Sequence, residues 1–343
     1  MDLSTLTGLA GLVLAALAAH LAWAPQRRVR RENSVDRFRQ VRKYVATHRA
    51  ELADTVREFH APGTDRPDFP LLVAPGWIPG RPLEPSEVRL SLREEEAAVG
   101  AGGRAGAGAR PRGYWPDADS GARTTLSAAV EAYDKPSIWF DAPGYQLRRV
   151  IPAVEGQSTG GRVELECVLG TYFAAYDTSE ALAYESGLRA TKGEDPARGR
   201  YRRRLGDPFD LANRGAQVGV STLTVRVEGE RAFFFLHRRS PSVAAAPNIT
   251  HVAPAGEFQP HADVLPVWRS DLDLWRNSMR EYAEEFLGAP DASGGGGRVL
   301  NYERDAPYAD MERLRRSGGV RFRYLGLGLD PLNWKPEVLT VCV

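Results

Sequence analysis

The sequence predicts an α+β protein with a mixed sheet, preceded by an N-terminal transmembrane helix. Three observations lead to this prediction. Residues 6–24 are almost continuously apolar. Beyond residue 115, short runs rich in Val, Leu and aromatic residues are bounded by turn-forming residues, as strands are. Between these runs, apolar residues recur at three-to-four spacing, which is typical of amphipathic helices.

Composition limits the class of protein. The 343 residues have room for two domains, or for one domain with substantial additions. A net charge of +1 gives no global field, so no nucleic-acid partner is expected. The two cysteines, Cys167 and Cys342, have neither zinc-site spacing nor a disulfide framework, which fits a reducing compartment. Frequent Arg, Ala and Gly are typical of a GC-rich bacterial genome.

The apolar run at residues 6–24 is nineteen residues long, just enough to span a bilayer as a helix. A cleavable signal peptide is the alternative, but it needs positive charge before the run, and Asp2 is the only charged side chain there. Four arginines follow at residues 27–31. The positive-inside bias therefore predicts a single-pass anchor, residues 1–26, in the cytoplasmic membrane. The lipid bilayer is then a partner, and the C-terminal part lies in the cytoplasm.

A juxtamembrane helix is predicted within residues 27–60, where Ser34 is a suitable N-cap and apolar residues recur up to Phe59. A stalk or packing helix is the favoured interpretation, and the spacing leaves a coiled-coil homo-oligomer open. Residues 61–114 follow as a Pro-rich segment and a Gly/Ala/Arg linker. Within it, residues 97–113 carry too little apolar surface to fold alone.

An α+β extension is predicted for residues 115–215. Helices are expected at residues 125–132 and 178–188, and strands at residues 137–140, 145–151 and 163–168. The extension ends in a basic cluster, Arg198, Arg200, Arg202, Arg203 and Arg204. The forked donors of arginine suit phosphate recognition, so Arg202 and Arg203 are candidate substrate-binding residues. A solvated loop paired with nearby acids is the alternative interpretation.

Residues 216–343 form the predicted C-terminal domain. Strands at residues 218–227 and 231–237, joined by a tight turn, predict a hairpin. Further strands are expected at residues 320–329 and 338–343, and a helix at residues 307–316. Arg238 and Arg239 at the end of the hairpin are candidate substrate-binding residues, whereas His237 is interpreted as a strand residue.

A helix predicted at residues 271–287 carries the strongest chemical signal. Glu281, Glu284 and Glu285 share the face opposite its apolar stripe, at positions i, i+3 and i+4. Three carboxylates this close repel one another unless a cation lies among them, and such oxygen ligands hold Mg2+ or Mn2+. Arg280 is placed to orient a carboxylate through a bidentate pair. A solvated acidic face is the alternative interpretation.

The sequence of residues 280–285 resembles the Arg-Glu-apolar-x-Glu-Glu core of the Nudix box. An apolar strand that ends in basic residues, at residues 232–240, and a Pro-Ala-Gly-Glu turn containing Gly256 precede it, in that family's order. The spacing from Gly256 to the helix is longer than in the family. Leu272 occupies the position of an earlier Glu of the box, for which the neighbouring Asp271 or Asp273 is a candidate substitute.

The resemblance implies a Nudix-like α/β/α domain in a membrane-anchored hydrolase that cleaves a nucleoside diphosphate-linked compound. It implies that the three glutamates hold Mg2+ or Mn2+ and that Arg280 keeps them in place. One of the three, or Glu257, is the implied general base, and Gly256 and the candidate arginines are expected at the phosphates of a nucleotide-type small molecule. A catalytically degenerate nucleotide sensor tethered to the membrane is the alternative, and a purely structural helix is the third interpretation.

Overall fold

The computed structural model describes residues 32–60, 64–93, 114–116, 125–152, 163–238, 250–290 and 299–343. Within these ranges the chain is an α+β protein with mixed sheets and eight helices. None of the helices in these ranges is long and apolar enough to cross a membrane. The predicted anchor at residues 6–24 and the predicted linker at residues 97–113 lie outside them.

Two helices occupy the region where the sequence predicts a single juxtamembrane helix. Residues 32–47 form α1 and Arg49–His60 form α2, with a bend at His48 between them. The predicted apolar stripe is buried at Phe38, Val41, Val45, Leu52 and Val56. These residues belong to the same hydrophobic core as the sheets, so both helices pack on the rest of the protein.

The first sheet follows. Val88–Leu92 form β1, Leu126–Tyr133 form α3, Pro143–Ile151 form β2 and Val163–Thr171 form β3. The central strand is β3, which lies parallel to β1 and antiparallel to β2. The strand predicted at residues 137–140 is wrong, because these residues form a bend and an irregular segment that lies outside the described strands. Ile138 and Phe140 are exposed, and Trp139 between them is buried.

The longest helix among the described residues starts where β3 ends. Tyr172–Ala190 form α4, and its N-cap is Thr171, whose side chain accepts a hydrogen bond from the backbone N–H of Ala174 at 3.4 Å. The predicted start at residue 178 is therefore too late. No loop separates β3 from α4, and the first turn of α4 begins with two aromatic residues. The sequence therefore has no turn-forming residue that marks the start of the helix. Arg200–Leu205 then form α5, which contains most of the basic cluster.

The second sheet is built from the C-terminal half of the chain. Its strands are β4 (Gly219–Glu228), β5 (Arg231–Phe234), β8 (Ala255–Glu257), β9 (Phe322–Leu329) and β10 (Pro336–Cys342). The order is β5-β4-β10-β9, and β8 pairs with β4. It is mixed, since β10 lies parallel to β4 and antiparallel to β9. The predicted hairpin is present as β4 and β5, with Gly229 at a φ of 60° in the turn.

A smaller two-stranded sheet pairs β6 (Leu236–Arg238) with β7 (Thr250–Val252). Three helices complete the described residues: α6 (Leu265–Ser270), α7 (Leu274–Leu287) and α8 (Tyr308–Arg316). Both α7 and α8 lie close to their predicted positions. The predicted loop at residues 291–297 lies outside the described residues.

Backbone hydrogen bonds join the two larger sheets. The N–H of Tyr145 in β2 donates to the carbonyl of Phe258 at 3.0 Å, and the carbonyl of Tyr145 accepts from Val218 at 3.0 Å. Phe258 in turn donates to the carbonyl of Val218 at 2.8 Å. The predicted extension and the C-terminal segment thus share one continuous core.

Candidate active site

The helix α7 is fixed at both ends. Asp273 caps its start, where the side chain accepts a hydrogen bond from a backbone N–H of the first turn at 3.0 Å. Gly288 ends it with a φ of 67°, a left-handed conformation that favours glycine. Local sequence therefore determines where α7 begins and where it ends.

One face of the second sheet carries α7. The hydroxyls of Ser278 and Tyr282 lie 3.3 Å and 2.5 Å from those of Thr222 and Thr224 in β4. Successive residues of a strand point to opposite faces. Even-numbered residues of β4 therefore point to the α7 face, and odd-numbered residues such as Ser221 point to the opposite face.

Arg280 is buried inside the protein, with 4% of its surface exposed. Its Nη1 donates to Asp271 at 3.1 Å and to the hydroxyl of Tyr302, and its Nη2 donates to the carbonyl of Gln259 at 2.6 Å and to Asn277 at 3.0 Å. The carboxylate that it holds is thus Asp271, whereas Asp273 is used as the helix cap. Arg280 fastens α7 to the loop that precedes it.

Asp271 is fully buried in the centre of this network. It accepts hydrogen bonds from the backbone N–H of His261 at 2.9 Å and from the hydroxyl of Tyr302 at 3.0 Å, and it lies 2.6 Å from the His261 ring nitrogen Nδ1. Burial alone would raise the pKa of Asp271, but the His261 hydrogen bond and the charge of Arg280 outweigh it and lower the pKa. The sequence analysis does not find His261 or Tyr302, because no local spacing connects them to the helix.

Glu281 and Glu285, one helical turn apart, lie against the backbone of β8. The N–H of Ala255 donates to Glu285 Oε1 at 3.4 Å. A Cβ atom on Gly256 would overlap the Glu281 carboxylate, so that carboxylate rests on the bare glycine backbone. Both glutamates are half-buried. The sequence-predicted Gly256 is therefore the residue that lets β8 and α7 approach.

Glu284 has a different neighbour. Burial raises the pKa of Tyr308 in α8, and the negative charge of Glu284 adds to the increase, which places Glu284 near α8. Within the described ranges, no group of three or more His, Cys, Asp and Glu side chains is arranged to hold a metal ion. Glu281 and Glu285, which both lie against β8, form a pair of carboxylates in place of the predicted group of three. Mg2+ is commonly held by one or two carboxylates together with water and substrate phosphates, and a pair fits that pattern.

Glu257 lies on the opposite face of the sheet from Glu281. Its Oε1 is 2.8 Å from Lys335 Nζ, which is also 3.3 Å from Glu337 in β10. Gly219 in β4 lies between the two glutamates in register, and its missing side chain leaves room for the Glu337 carboxylate. The geometry gives no support to Glu257 as a general base beside the α7 carboxylates.

Arg202 is 2% exposed and serves the fold. Its guanidinium donates to the carbonyls of Pro331, at 3.2 Å, and Leu332, and it lies over the ring of Trp334. It therefore fastens α5 to the turn before β10, and its predicted contact with phosphate has no support in this arrangement. Arg203 is exposed, and its side chain donates to a backbone carbonyl of its own segment at 2.5 Å.

Arg238 is exposed at the end of β6, and Arg239 lies outside the described residues. His237 is a strand residue, as predicted, and its ring lies 5.7 Å from that of His251 across the β6–β7 pair. Neighbouring apolar side chains of β5 and β6, Phe233, Phe234 and Leu236, are exposed as well.

No protein-family model matches this chain, and no curated protein matches it. The resemblance to the Nudix family therefore stays a prediction from residues 280–285 and from the segments that precede them in the sequence. Function has to be argued from these residues themselves.

Proposed function

We propose that this protein is a divalent-metal-dependent hydrolase of nucleoside diphosphate-linked compounds, with α7 as a Nudix-like catalytic helix. The observation that carries the proposal is the placement of Glu281 and Glu285 on the β8 backbone at residues 255–256. A purely solvated acidic face would leave these side chains in water, but both are half-buried.

The pair suits a metal that arrives with its substrate. Two carboxylates one turn apart repel each other, and a divalent cation between them removes that repulsion. Bound there, the metal would neutralise charge on the phosphates and lower the pKa of an attacking water. The chain supplies the positioning, because Arg280 is held by Asp271 and Gly256 keeps β8 close to Glu281. Arg280 is accordingly a positioning residue, and it does not touch substrate.

The second candidate is a catalytically degenerate sensor that binds a nucleotide without cleaving it. The electrostatic interaction of Glu284 with Tyr308 in α8 favours it, as does the lack of a three-carboxylate group in the part of the chain that is described. In both proposals residues 6–24 tether the protein to the cytoplasmic membrane, and a homo-oligomer stays open.

The test is a titration of the full chain with Mg2+ or Mn2+ and a panel of nucleoside diphosphate compounds, with release of phosphate or mononucleotide as the readout. We expect Glu281→Gln and Glu285→Gln each to lower release about 100-fold to 1,000-fold, the usual cost of removing one charge-stabilising group. Glu303→Gln is the matched control, since that side chain is 72% exposed in a surface pair, and it should retain full activity.

Two further variants refine the test. Gly256→Ala places a methyl group in the space of the Glu281 carboxylate, which swings away, so activity should fall as in Glu281→Gln with little loss of stability. Glu284→Gln should have a small effect if the pair alone binds metal and a large one if all three glutamates do. Nucleotide binding without release in the unmodified protein would favour the sensor. If the unmodified protein neither binds the nucleotides nor releases product from them, both proposals are refuted.

A further inference from the structure

An exposed aromatic segment projects from the edge of the second sheet. Every residue of β5 and β6 is exposed, although residues 232–236 are all apolar. Phe234 is 63% exposed and Leu236 is 56% exposed. Single apolar side chains are common on protein surfaces, whereas a contiguous patch of them marks an interaction surface. We call residues 230–238 the aromatic ribbon.

Both faces of the aromatic ribbon are apolar. Paired residues of antiparallel strands project to the same face, and Phe233 pairs with an even-numbered residue of β4, so it lies on the α7 face. On that face the ring of Phe235 lies 5.6 Å from the ring of Phe286, which is also exposed. Phe234 pairs with an odd-numbered residue of β4 and projects to the opposite face. A partner strand beside the ribbon would cover both faces at once.

The exposed area suits a stable interface. Phe233, Phe234, Phe235 and Phe286 are between 37% and 63% exposed. An aromatic side chain offers about 150–250 Å², so these four leave about 400 Å² in water on each chain. Two copies contribute about 800 Å² before Leu236 and the neighbouring polar atoms are counted, and specific interfaces bury about 1,200–2,000 Å².

The outer edge of β5 supplies hydrogen-bonding groups. This strand ends its sheet, and β4 is its one strand partner among the described residues. The N–H of Phe235 donates to the carbonyl of Thr224 in β4 at 3.2 Å. Because the backbone groups of successive residues point to alternate edges of a strand, the N–H and C=O groups of Ala232 and Phe234 point away from β4. An apolar edge of this kind is a template for another strand.

We propose that the aromatic ribbon joins two copies of this chain in a homodimer, in which β5 pairs antiparallel with β5 of the second copy about a two-fold axis at Phe234. Such an interface has to be complementary to itself. The apolar run of residues 232–236 is centred on Phe234, so it meets the same run of the second copy. Glu230 then lies opposite Arg238 of the second copy, and unlike charges close both ends of the run. Both side chains are exposed, and neither forms an ion pair within the described residues.

Two observations favour a second copy over other occupants. The helices α1 and α2 bury their apolar stripe in the core of their own chain, so the aromatic ribbon is the better surface for self-association. A lipid bilayer is opposed, because hydrocarbon offers no partner for the N–H and C=O groups of a strand edge. The dimer uses no residue of the proposed metal pair, and it stands independently of the proposed hydrolase.

Light scattering coupled to gel filtration of the full chain in detergent measures the mass of the protein. We expect twice the chain mass of 37.7 kDa at a concentration of about 10 μM. Phe234→Lys places two like charges at the axis, so the dissociation constant of the dimer should rise at least tenfold. Ala232→Pro removes an N–H that points to the outer edge and leaves the bonds to β4 intact, so it should have the same effect. Leu314→Lys, at an exposed apolar position of α8, is the matched control and should stay dimeric.

An exchange of charges tests the position of the axis. Glu230→Arg should raise the dissociation constant, because it brings an arginine opposite Arg238 of the second copy. Adding Arg238→Glu to the same chain should restore the dimer, since the unlike charges meet again. If the single and the double variant have the same dissociation constant, the axis does not lie at Phe234.

The homodimer assignment fails if the unmodified chain has the mass of one copy at about 10 μM. It also fails if folded Phe234→Lys and Ala232→Pro proteins, checked by circular dichroism, dimerise as strongly as Leu314→Lys. Glu281→Gln should leave the mass of the dimer unchanged, so an intact dimer without nucleotide hydrolysis would refute only the hydrolase.

Discussion

The ring of Trp334 brings three basic side chains together in the core. The guanidinium carbons of Arg202 and Arg214 lie 5.0 Å and 5.5 Å from its centre, and the His60 ring lies 5.5 Å away, edge-on. Burial lowers the pKa of both arginines to about 10, so both remain charged at neutral pH. Each gains a cation–π contact and hydrogen bonds to backbone carbonyls. A third positive charge at His60 would be repelled by the charge of Arg202.

The pKa of His60 follows from this arrangement. Burial and the charge of Arg202 lower it from 6.5 to about 4, and Asp207 opposes the shift only in part. As the pH falls below 6.5, the unfolded chain takes up a proton that the folded protein excludes until about pH 4. We therefore predict that the free energy of unfolding decreases between pH 6.5 and pH 4. About 1–2 kcal/mol of this decrease should come from His60, after allowance for its partial exposure.

Urea unfolding at pH 7 and at pH 4.5 measures this contribution. His60→Gln cannot titrate, so its unfolding free energy should depend less on pH than that of the unmodified protein. His237→Gln, at an exposed strand position, should keep the full pH dependence. If the free energy of unfolding falls by the same amount between pH 7 and pH 4.5 in His60→Gln and in the unmodified protein, His60 does not contribute to the pH dependence.

At the scale of elements, the crossing of α1 and α4 depends on one small residue. A Cβ atom on Gly187 would overlap the side chain of Val45 in α1. Alanine normally gains up to about 1 kcal/mol over glycine in a helix interior. Here we predict that Gly187→Ala lowers the free energy of unfolding by about 1–3 kcal/mol, because the stiff valine cannot move aside.

Urea denaturation of Gly187→Ala and of a double variant tests the crossing. Val45→Ala alone should destabilise the protein, since it removes buried methyl groups. Combined with Gly187→Ala it should cost less than the sum of the two single changes, because the new methyl fills the space that the valine leaves. If the losses in the free energy of unfolding are simply additive, the contact with Val45 is not the cause of the destabilisation in Gly187→Ala.

Elements with strong local signals were predictable from the sequence. The hairpin of β4 and β5 has alternating apolar residues around a glycine turn, and α7 has a cap, a stripe and a terminal glycine. The start of α4 was missed because Thr171 is both the last residue of a strand and a helix cap. The bend at His48 has no Gly or Pro to mark it, so the sequence suggested one helix in place of α1 and α2.

The candidate site was predictable only where its residues are neighbours in the chain. Arg280 and its glutamates share one helix. Asp271 was one of two candidate substitutes for the earlier Glu of the box, but its ion pair with Arg280 was not predicted. Arg202 looked like its neighbours in a basic cluster, but only the packing of α5 shows that it is buried. Glu257 and Glu337 share Lys335 because β8 and β10 both pair with β4, and no local sequence pattern predicts that pairing.

On the scale of the whole molecule, the second sheet separates two polar sites. Glu281 and Glu285 lie on the α7 face, and Glu257, Lys335 and Glu337 form an ion-pair group on the opposite face. The strand β8 belongs to both, since Gly256 supports the Glu281 carboxylate and the next residue, Glu257, pairs with Lys335. A change in the Lys335 group would therefore act on the strand that positions the proposed metal pair.

The whole chain is also predicted to be held at a membrane by residues 6–24. As a helix, nineteen residues span about 28 Å, close to the roughly 30 Å of a bilayer's hydrocarbon core. We expect the full chain to stay in the membrane pellet after washing with alkaline carbonate, and a chain that begins at Gln26 to remain in the supernatant. Fractionation followed by immunoblotting measures both.

Leu14→Arg provides the sharper comparison. A charge near the centre of the run costs about 2.5–3.5 kcal/mol on insertion scales, so this variant should shift toward the supernatant. Gln26→Arg adds the same charge beside the existing arginines, where the positive-inside bias tolerates it, and it should stay in the pellet. Release of the unmodified chain by carbonate, or identical behaviour of the two variants, would mean that the apolar run does not span the bilayer. In that case the proposed membrane-tethered hydrolase would have to act in solution or at the membrane surface.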